Sequence, residues 1–436
     1  MAPDHGPKLN DRADREEEES DMSDRIVAIA TALVALAGTG GAALAENAPG
    51  ITATEIKIGQ TMPYSGPASA YAAIGEGNAA YFKMINDQGG INGRMITLLS
   101  EDDGYNPTKA LEAIQKLVED DHVAFIFESL GTPSNVAIQP YLNQHKIPQL
   151  FVASGADRWG DYQNFPWTIG WQPSYRVEAA IYAKYILRTK PDAKIAILYQ
   201  NDGFGKDYIA GLKDVLGSAY DKMVVKEASY ETTDAMVDTQ IESLKNSGAD
   251  TLISAVTPKF GARTIHVVYS LNWHPLHFIS NVSQSIPAVL EPVGFEKAVG
   301  IISSMYMKDP TDPAMKDDPG LNQWRDFMAK YLPQADPTEA YYLQGYNVAA
   351  TLAQVLKQCG NDLSRENIMK QAANIQDLEL PGLLPGIRIN TSPTNFHPIQ
   401  AQQLVRWDGR AWTRFGDVLT VAPQGWWEYV ASAFFR

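Results

Sequence analysis

Residues 123–156 read VAFIFESLGTPSNVAIQPYLNQHKIPQLFVASGA. Val123–Phe127 is a short apolar run of β-formers, the pattern of a strand buried on both faces of a parallel sheet. Polar residues 128–135 follow. Thr132 is placed to cap a helix, and Pro133 suits a first helical position, where no N–H is needed. Val136, Ile138 and Tyr141 carry that helix to about His145. Ile147–Val152 reads as the next strand and 153–156 as its exit loop. Two parallel strands thus end in small polar loops at the same sheet edge, which is where open α/β sheets bind ligands. N–H groups at the start of the helix, at Ser134 and Asn135, favour an anion. The hydroxyls of Ser129, Thr132 and Ser154 supply further hydrogen bonds. No nucleophile stands beside a base, so the stretch predicts binding and not catalysis.

The same alternation extends both ways. Strands are expected at 55–60 and 95–100, with helices from about Tyr71 to Asn86 and from Asn106-Pro107 through Leu117. After 165–171 the pattern restarts. Helices are expected at 179–187, around 209–216, around 237–244 and from about 261 to Leu271, with strands at 194–199, from 223, at 250–256 and at 276–280. Strand–helix alternation of this kind makes doubly wound parallel sheets. Two such series of similar size would face each other across one cleft. Residues 301–306 read as a further strand, 322–331, 341–358 and 365–373 as helices, and 386–390, 403–407 and 411–415 as short antiparallel strands, with a hairpin turn at Asp408-Gly409-Arg410.

The chain has 436 residues and a net charge of −15, which argues against nucleic acid or an anionic membrane as partner. Residues 1–21 are polar and acidic and read as an extension outside the native protein. Met22-Ser-Asp-Arg followed by the apolar run 26–36 and Ala43-Leu44-Ala45 has the form of a cleavable signal peptide over 22–45, and hence of an exported, periplasmic protein. Cys359 is the one cysteine, so no intrachain disulfide forms. The pair His274 and His277 has no neighbouring acid or cysteine to complete a metal site. Glu101–Asp103 reads as loop charge, and the tryptophans at 159, 167 and 171 as packing. No cofactor is implied.

The motifs Ile56-Lys-Ile-Gly-Gln with Ser65-Gly-Pro, Gly89-Gly-Ile-Asn-Gly-Arg, Asn201-Asp-Gly-Phe-Gly-Lys and Lys308-Asp-Pro-Thr-Asp-Pro, in this order, resemble the periplasmic solute-binding proteins of branched-chain amino-acid-type (leucine/isoleucine/valine-binding protein-like) ABC importers. The resemblance covers nearly all of 53–420. It implies a type 1 periplasmic-binding-protein fold: two doubly wound lobes, 53–172 with 306–380 and 173–305 with 381–436, joined by a three-crossing hinge that closes on the ligand. It implies a non-enzymatic, monomeric receptor passing a small molecule to membrane permease subunits. The alternative is a ligand sensor of the same fold feeding a kinase or regulator. Carried over by position, the family's pocket falls on Tyr71, Thr132, Ala153 to Gly155, Phe204 and Thr257. Its ammonium-binding acid falls near Asn281 or Val282, where 281–286 contain no carboxylate. Lys259, near the same mouth, adds positive charge instead. The expected ligand is therefore a small carboxylate, an amino acid or an aromatic or aliphatic organic acid.

Overall fold

The computed structural model describes residues 47–420, so the expected extension and signal peptide lie outside the described residues. Two sheets organise the chain. The first contains β1 (Glu55–Met62), β2 (Met95–Asp102), β3 (Ile126–Phe127), β4 (Gln149–Val152) and β5 (Thr168–Gly170), all parallel, in the order β2-β1-β3-β4-β5. The second contains β6 (Ile195–Gln200), β7 (Val224–Tyr230), β8 (Thr251–Ala255), β9 (Leu276–Ile279) and β10 (Ile302–Met305), parallel, with the antiparallel pair β11 (Ala401–Trp407) and β12 (Trp412–Thr420) at one edge. The strands β4, β8 and β10 are buried from end to end. This is why they read as apolar runs without alternation.

Local chemistry sets the boundaries. Asn106 caps the helix α1 of the second crossover, Pro107–Glu119: its side chain accepts the N–H groups of Thr108 (2.9 Å) and Lys109 (3.2 Å), with Pro107 next to it. The helix α2 begins at Thr132 and runs to Gln144. The helix α3 covers Tyr175–Thr189, four residues earlier than its apolar spacing suggests, because Ser174 supplies an extended N-cap backbone. Asp202 caps the helix α4, Gly203–Leu216, accepting Phe204 N–H at 2.9 Å. The hairpin between β11 and β12 turns on Gly409 at φ +100°, and the Asp408 side chain accepts the N–H groups of Arg410 and Ala411. The strand expected at 386–390 does not form. Only a single bridge joins Ile389 to Leu378, because other backbone groups of this segment bond into turns, as in Ile387 N–H to Leu384 O and Asn390 N–H to Pro398 O, both at 3.0 Å.

The long helix α5, Ala340–Cys359, crosses the earlier helix Ala72–Asp87 through two glycines. A Cβ on Gly77 would lie 2.8 Å from Tyr342 O, and one on Gly345 would lie 2.2 Å from Ile74 O. Neither neighbour is a flexible side chain, so both backbones must move to admit a larger residue. Gly345→Leu is expected to destabilise the fold by about 1–3 kcal/mol, read from urea unfolding; a midpoint equal to wild type would mean that the helices part without cost. Among the described residues, no helix is long and apolar enough to cross a membrane.

Candidate functional site

The loop between β3 and α2 is shaped by Gly131, which has φ +100° and leaves no room for a side chain: a Cβ there would meet the Tyr105 ring at 2.5 Å. Gly131, and not Thr132, occupies the N-cap position. Thr132 is the first helical residue, and its hydroxyl pairs with that of Ser154 at 2.7 Å instead of capping. Ser129 accepts the Thr61 N–H (3.1 Å). Asn135 donates to the carbonyls of Ser129 (2.7 Å) and Gly131 (2.8 Å), accepts from Gln149 (2.8 Å), and its N–H is already bonded to Gly131 O. Ser134 is buried beside Asp103, whose carboxyl is pushed up to about 6 by burial.

These residues divide by position. Tyr71, Thr132, Ala153, Phe204, Thr257 and Asn281 meet around one cavity of about 50 Å³ between the two sheets. Ser129, Ser134, Asn135, Ser154 and Gly155 stand behind it as the frame of the loops: Gly155 O accepts the Tyr175 N–H at 2.7 Å, and a Cβ on Gly155 would strike Pro173 O. Lys259 is not brought to the cavity. Its ammonium lies on another face, donating to Asp234 O at 3.3 Å and sitting 4.9 Å from the Phe260 ring centroid.

Sequence reading missed Tyr105, Tyr175, Tyr306, Tyr341 and Gln284, which also line the cavity. The Tyr175 ring packs against that of Phe204, tilted by 56° with centroids 4.6 Å apart. Ser174, an available N-cap residue, was the signal that would have started α3 early enough to expose Tyr175. Tyr306 and Tyr341 come from segments far along the chain and carry no local signal.

The cavity is closed by bonds between the segments on either side. The hydroxyls of Tyr71 and Tyr341 both donate to Val282 O, at 2.9 and 2.7 Å. Ser285 donates to Glu339 at 2.6 Å, and Gln200 to the Tyr105 hydroxyl at 3.4 Å. The Asn281 N–H donates to Glu178 at 2.8 Å. Burial pushes the carboxyls of Glu178 and Glu339 up to about 7. Among the described residues, no Asp, Glu, Lys, Arg or His lines the cavity. It offers aromatic walls and neutral hydrogen-bonding groups, and helix N-termini that favour negative charge reach it at Thr132, Thr257 and Ala340.

A larger cavity, about 460 Å³, lies on the other side of the crossing segment: Gln172 and Tyr175 face the first cavity, Pro173 and Ser174 the second. Its charges already answer one another, Arg176 with Asp214 at 2.6 Å and Ser174 with Asp157 at 2.8 Å. The smaller cavity, at the carboxyl ends of the strands, is the candidate site. His277 is a core residue: its ring pairs with Ser254 at 2.9 Å, and burial lowers its pKa to about 3. Among the described residues, no group of three or more His, Cys, Asp or Glu could hold a metal ion. Glu101 is ion-paired with Lys116 at 2.5 Å.

The sequence model of a family described as periplasmic binding protein matches residues 55–411. A Leu/Ile/Val-binding protein homolog 1 of Brucella suis is 24% identical over 355 residues, covering 77% of this chain and 84% of the relative. A Leu/Ile/Val-binding protein homolog 3 of Brucella melitensis is 27% identical over 202 residues, 45% of this chain and about half, 53%, of the relative's length. Among solved structures, a branched-chain amino acid ABC transporter protein from Thermus thermophilus with bound valine superposes with a TM-score of 0.75 at 17% identity, covering 85% of this chain and 98% of the other.

Proposed function

Since this chain belongs to the periplasmic binding protein family and has its type 1 fold, we propose that it is the receptor of an ABC importer. It captures a small carboxylate between its lobes and delivers it to the permease. It acts as a monomer in the periplasm after loss of its signal peptide, and it performs no chemistry on the ligand. The lobes meet at crossings near 172 and 306. The bonds of Lys308 N–H and Leu384 N–H to Gly382 O and Tyr306 O favour a third crossing near Ile399, later than residue 381. The observation that carries the ligand reading is the lining itself: a helix start and a threonine hydroxyl at one end, and, among the described residues, no carboxylate in the wall to pair with an ammonium. A buried ammonium without a charged partner costs several kcal/mol.

Two results follow. Thr132→Ala removes a hydroxyl placed to bond a charged group. It is expected to weaken carboxylate binding by about 1.5–3 kcal/mol, roughly 10- to 150-fold, whereas Lys259→Ala is expected to leave affinity unchanged. Calorimetry with both variants checks this. In the same assay 4-methylpentanoate is expected to bind more tightly than leucine, of which it is the deaminated analogue. Tight leucine binding with none of 4-methylpentanoate would overturn the carboxylate reading.

A further inference from the structure

Of the side chains that line the cleft cavity, two carry a buried polar atom with no hydrogen-bond partner: Asn281 Nδ2 and Gln284 Oε1. Such atoms are uncommon in native folds, and each costs about 1–3 kcal/mol when it stays unanswered. They stand three residues apart on one turn, and that turn is held from behind. The Asn281 N–H is bonded to Glu178, the hydroxyls of Ser280 and Ser283 both donate to Val256 O at 2.8 and 2.5 Å, and Gln284 O accepts the Trp412 indole N–H at 2.9 Å. The turn is therefore fixed in place, and its two unanswered amide atoms belong to side chains of the cavity wall.

We propose that the end of the ligand remote from its carboxylate carries an uncharged hydroxyl, bound by the side-chain amides of Asn281 and Gln284. The proposal rests on the carboxylate reading above and deepens it to a hydroxylated acid. A hydroxyl has one donor and two acceptor lone pairs, so it can answer an amide N–H and an amide oxygen together. An ammonium has only donors and leaves Asn281 Nδ2 unanswered. A second carboxylate has only acceptors and leaves Gln284 Oε1 unanswered. Either amide can turn over and exchange its two ends, and then charge decides. Among the described residues, no ionisable side chain other than tyrosine lines the cavity, so no charged partner meets this end of the ligand. A charge there would be buried among neutral dipoles, while a hydroxyl is not penalised. Between the two ends the walls are rings: Tyr71, Tyr105, Tyr175, Phe204, Tyr306 and Tyr341. They suit a flat apolar body.

Calorimetry with benzoate and 4-hydroxybenzoate tests this. Wild type is expected to bind 4-hydroxybenzoate at least about tenfold more tightly than benzoate, the worth of one well-made hydrogen bond in a dry site. Asn281→Leu and Gln284→Leu are each expected to reduce that advantage, and the double variant to erase it; thermal melts of the variants establish that they are folded. Gln284→Leu, at the half-buried position, keeps the test available if Asn281→Leu does not fold. Equal affinity of wild type for the two acids, or an advantage that survives both substitutions, overturns the hydroxyl proposal while leaving the carboxylate reading intact. Binding of leucine with neither acid bound overturns both.

Discussion

Replacing Trp171 with alanine is expected to destabilise the protein by about 3–5 kcal/mol. Trp171 is 1% exposed and stands at the end of β5, next to Gln172 of the cavity wall. Its indole N–H donates to the Thr351 hydroxyl at 3.0 Å, and its ring meets that of Tyr306 edge-on at 6.0 Å. The substitution therefore opens a void where the first crossing leaves its sheet and removes the support behind one of the cavity's tyrosines. Thr351 keeps its bond to Asn347 O at 2.9 Å, so no polar group is orphaned and the loss is one of packing. Trp171→Phe retains most of the ring and loses mainly the N–H bond, an expected cost of about 1 kcal/mol. Urea unfolding followed by far-ultraviolet circular dichroism separates the two variants. A loss in Trp171→Ala of no more than the phenylalanine value would show that the surrounding core collapses into the space.

The second large effect is a stability that rises as the solution is made mildly acidic. Burial pushes the carboxyls of Glu178, Asp207 and Glu339 up to about 7, and that of Asp103 up to about 6. In the unfolded chain such groups titrate near 4. Between pH 4 and pH 7 the folded state binds more protons than the unfolded state, so stability grows as pH falls through that window and the gain is complete below the unfolded values. Histidine opposes it. Burial lowers the pKa of His277 to about 3 and also lowers that of His397. The folded state then refuses protons that the unfolded chain accepts below about pH 6.5, and this loss grows as pH falls toward 3. Each group changes stability by about 1.4 kcal/mol per pH unit inside its own window. Burial also raises the carboxyls of Glu128, Asp202 and Asp309, so the raised acids outnumber the two lowered histidines and the move from pH 8 to pH 5 is a net gain. Below pH 4 the ion-paired Asp238 and the hydrogen-bonded Asp318, both held low, begin to be lost. The optimum is therefore expected between about pH 4.5 and 6, and urea midpoints at pH 8, 6 and 5 check it. Glu178→Gln is expected to flatten the profile. A midpoint highest at pH 8 would mean that these carboxyls are solvated in the folded state.

The sequence by itself was enough for the order of the parallel strands and the helices between them, because strands buried in the sheets leave apolar runs and their helices leave a 3.6-residue spacing. The helix start at Asn106-Pro107 and the hairpin at 408–410 were legible for the same kind of reason: each depends on residues within four places of one another. The loop at 128–135 was recognised as part of a site, but the division of labour within it was not. Thr132 faces the cavity while Ser129 and Asn135 brace the loop, and the partners that decide this, Thr61 and Gln149, lie 68 and 14 residues away. Asn281 stood out in the sequence for the carboxylate it lacks. That it leaves a donor unanswered in the cavity, with Gln284 beside it, depends on how Glu178, Val256 and Trp412 hold the turn. Tertiary structure alone decided which tyrosines wall the cavity and that Lys259 turns away from it. Period and capping are properties of a short stretch of chain. The direction of a side chain at a cleft is set by what packs behind it, and here that packing comes from segments a hundred or more residues apart, such as Glu178 behind Asn281 and Tyr71 against Val282.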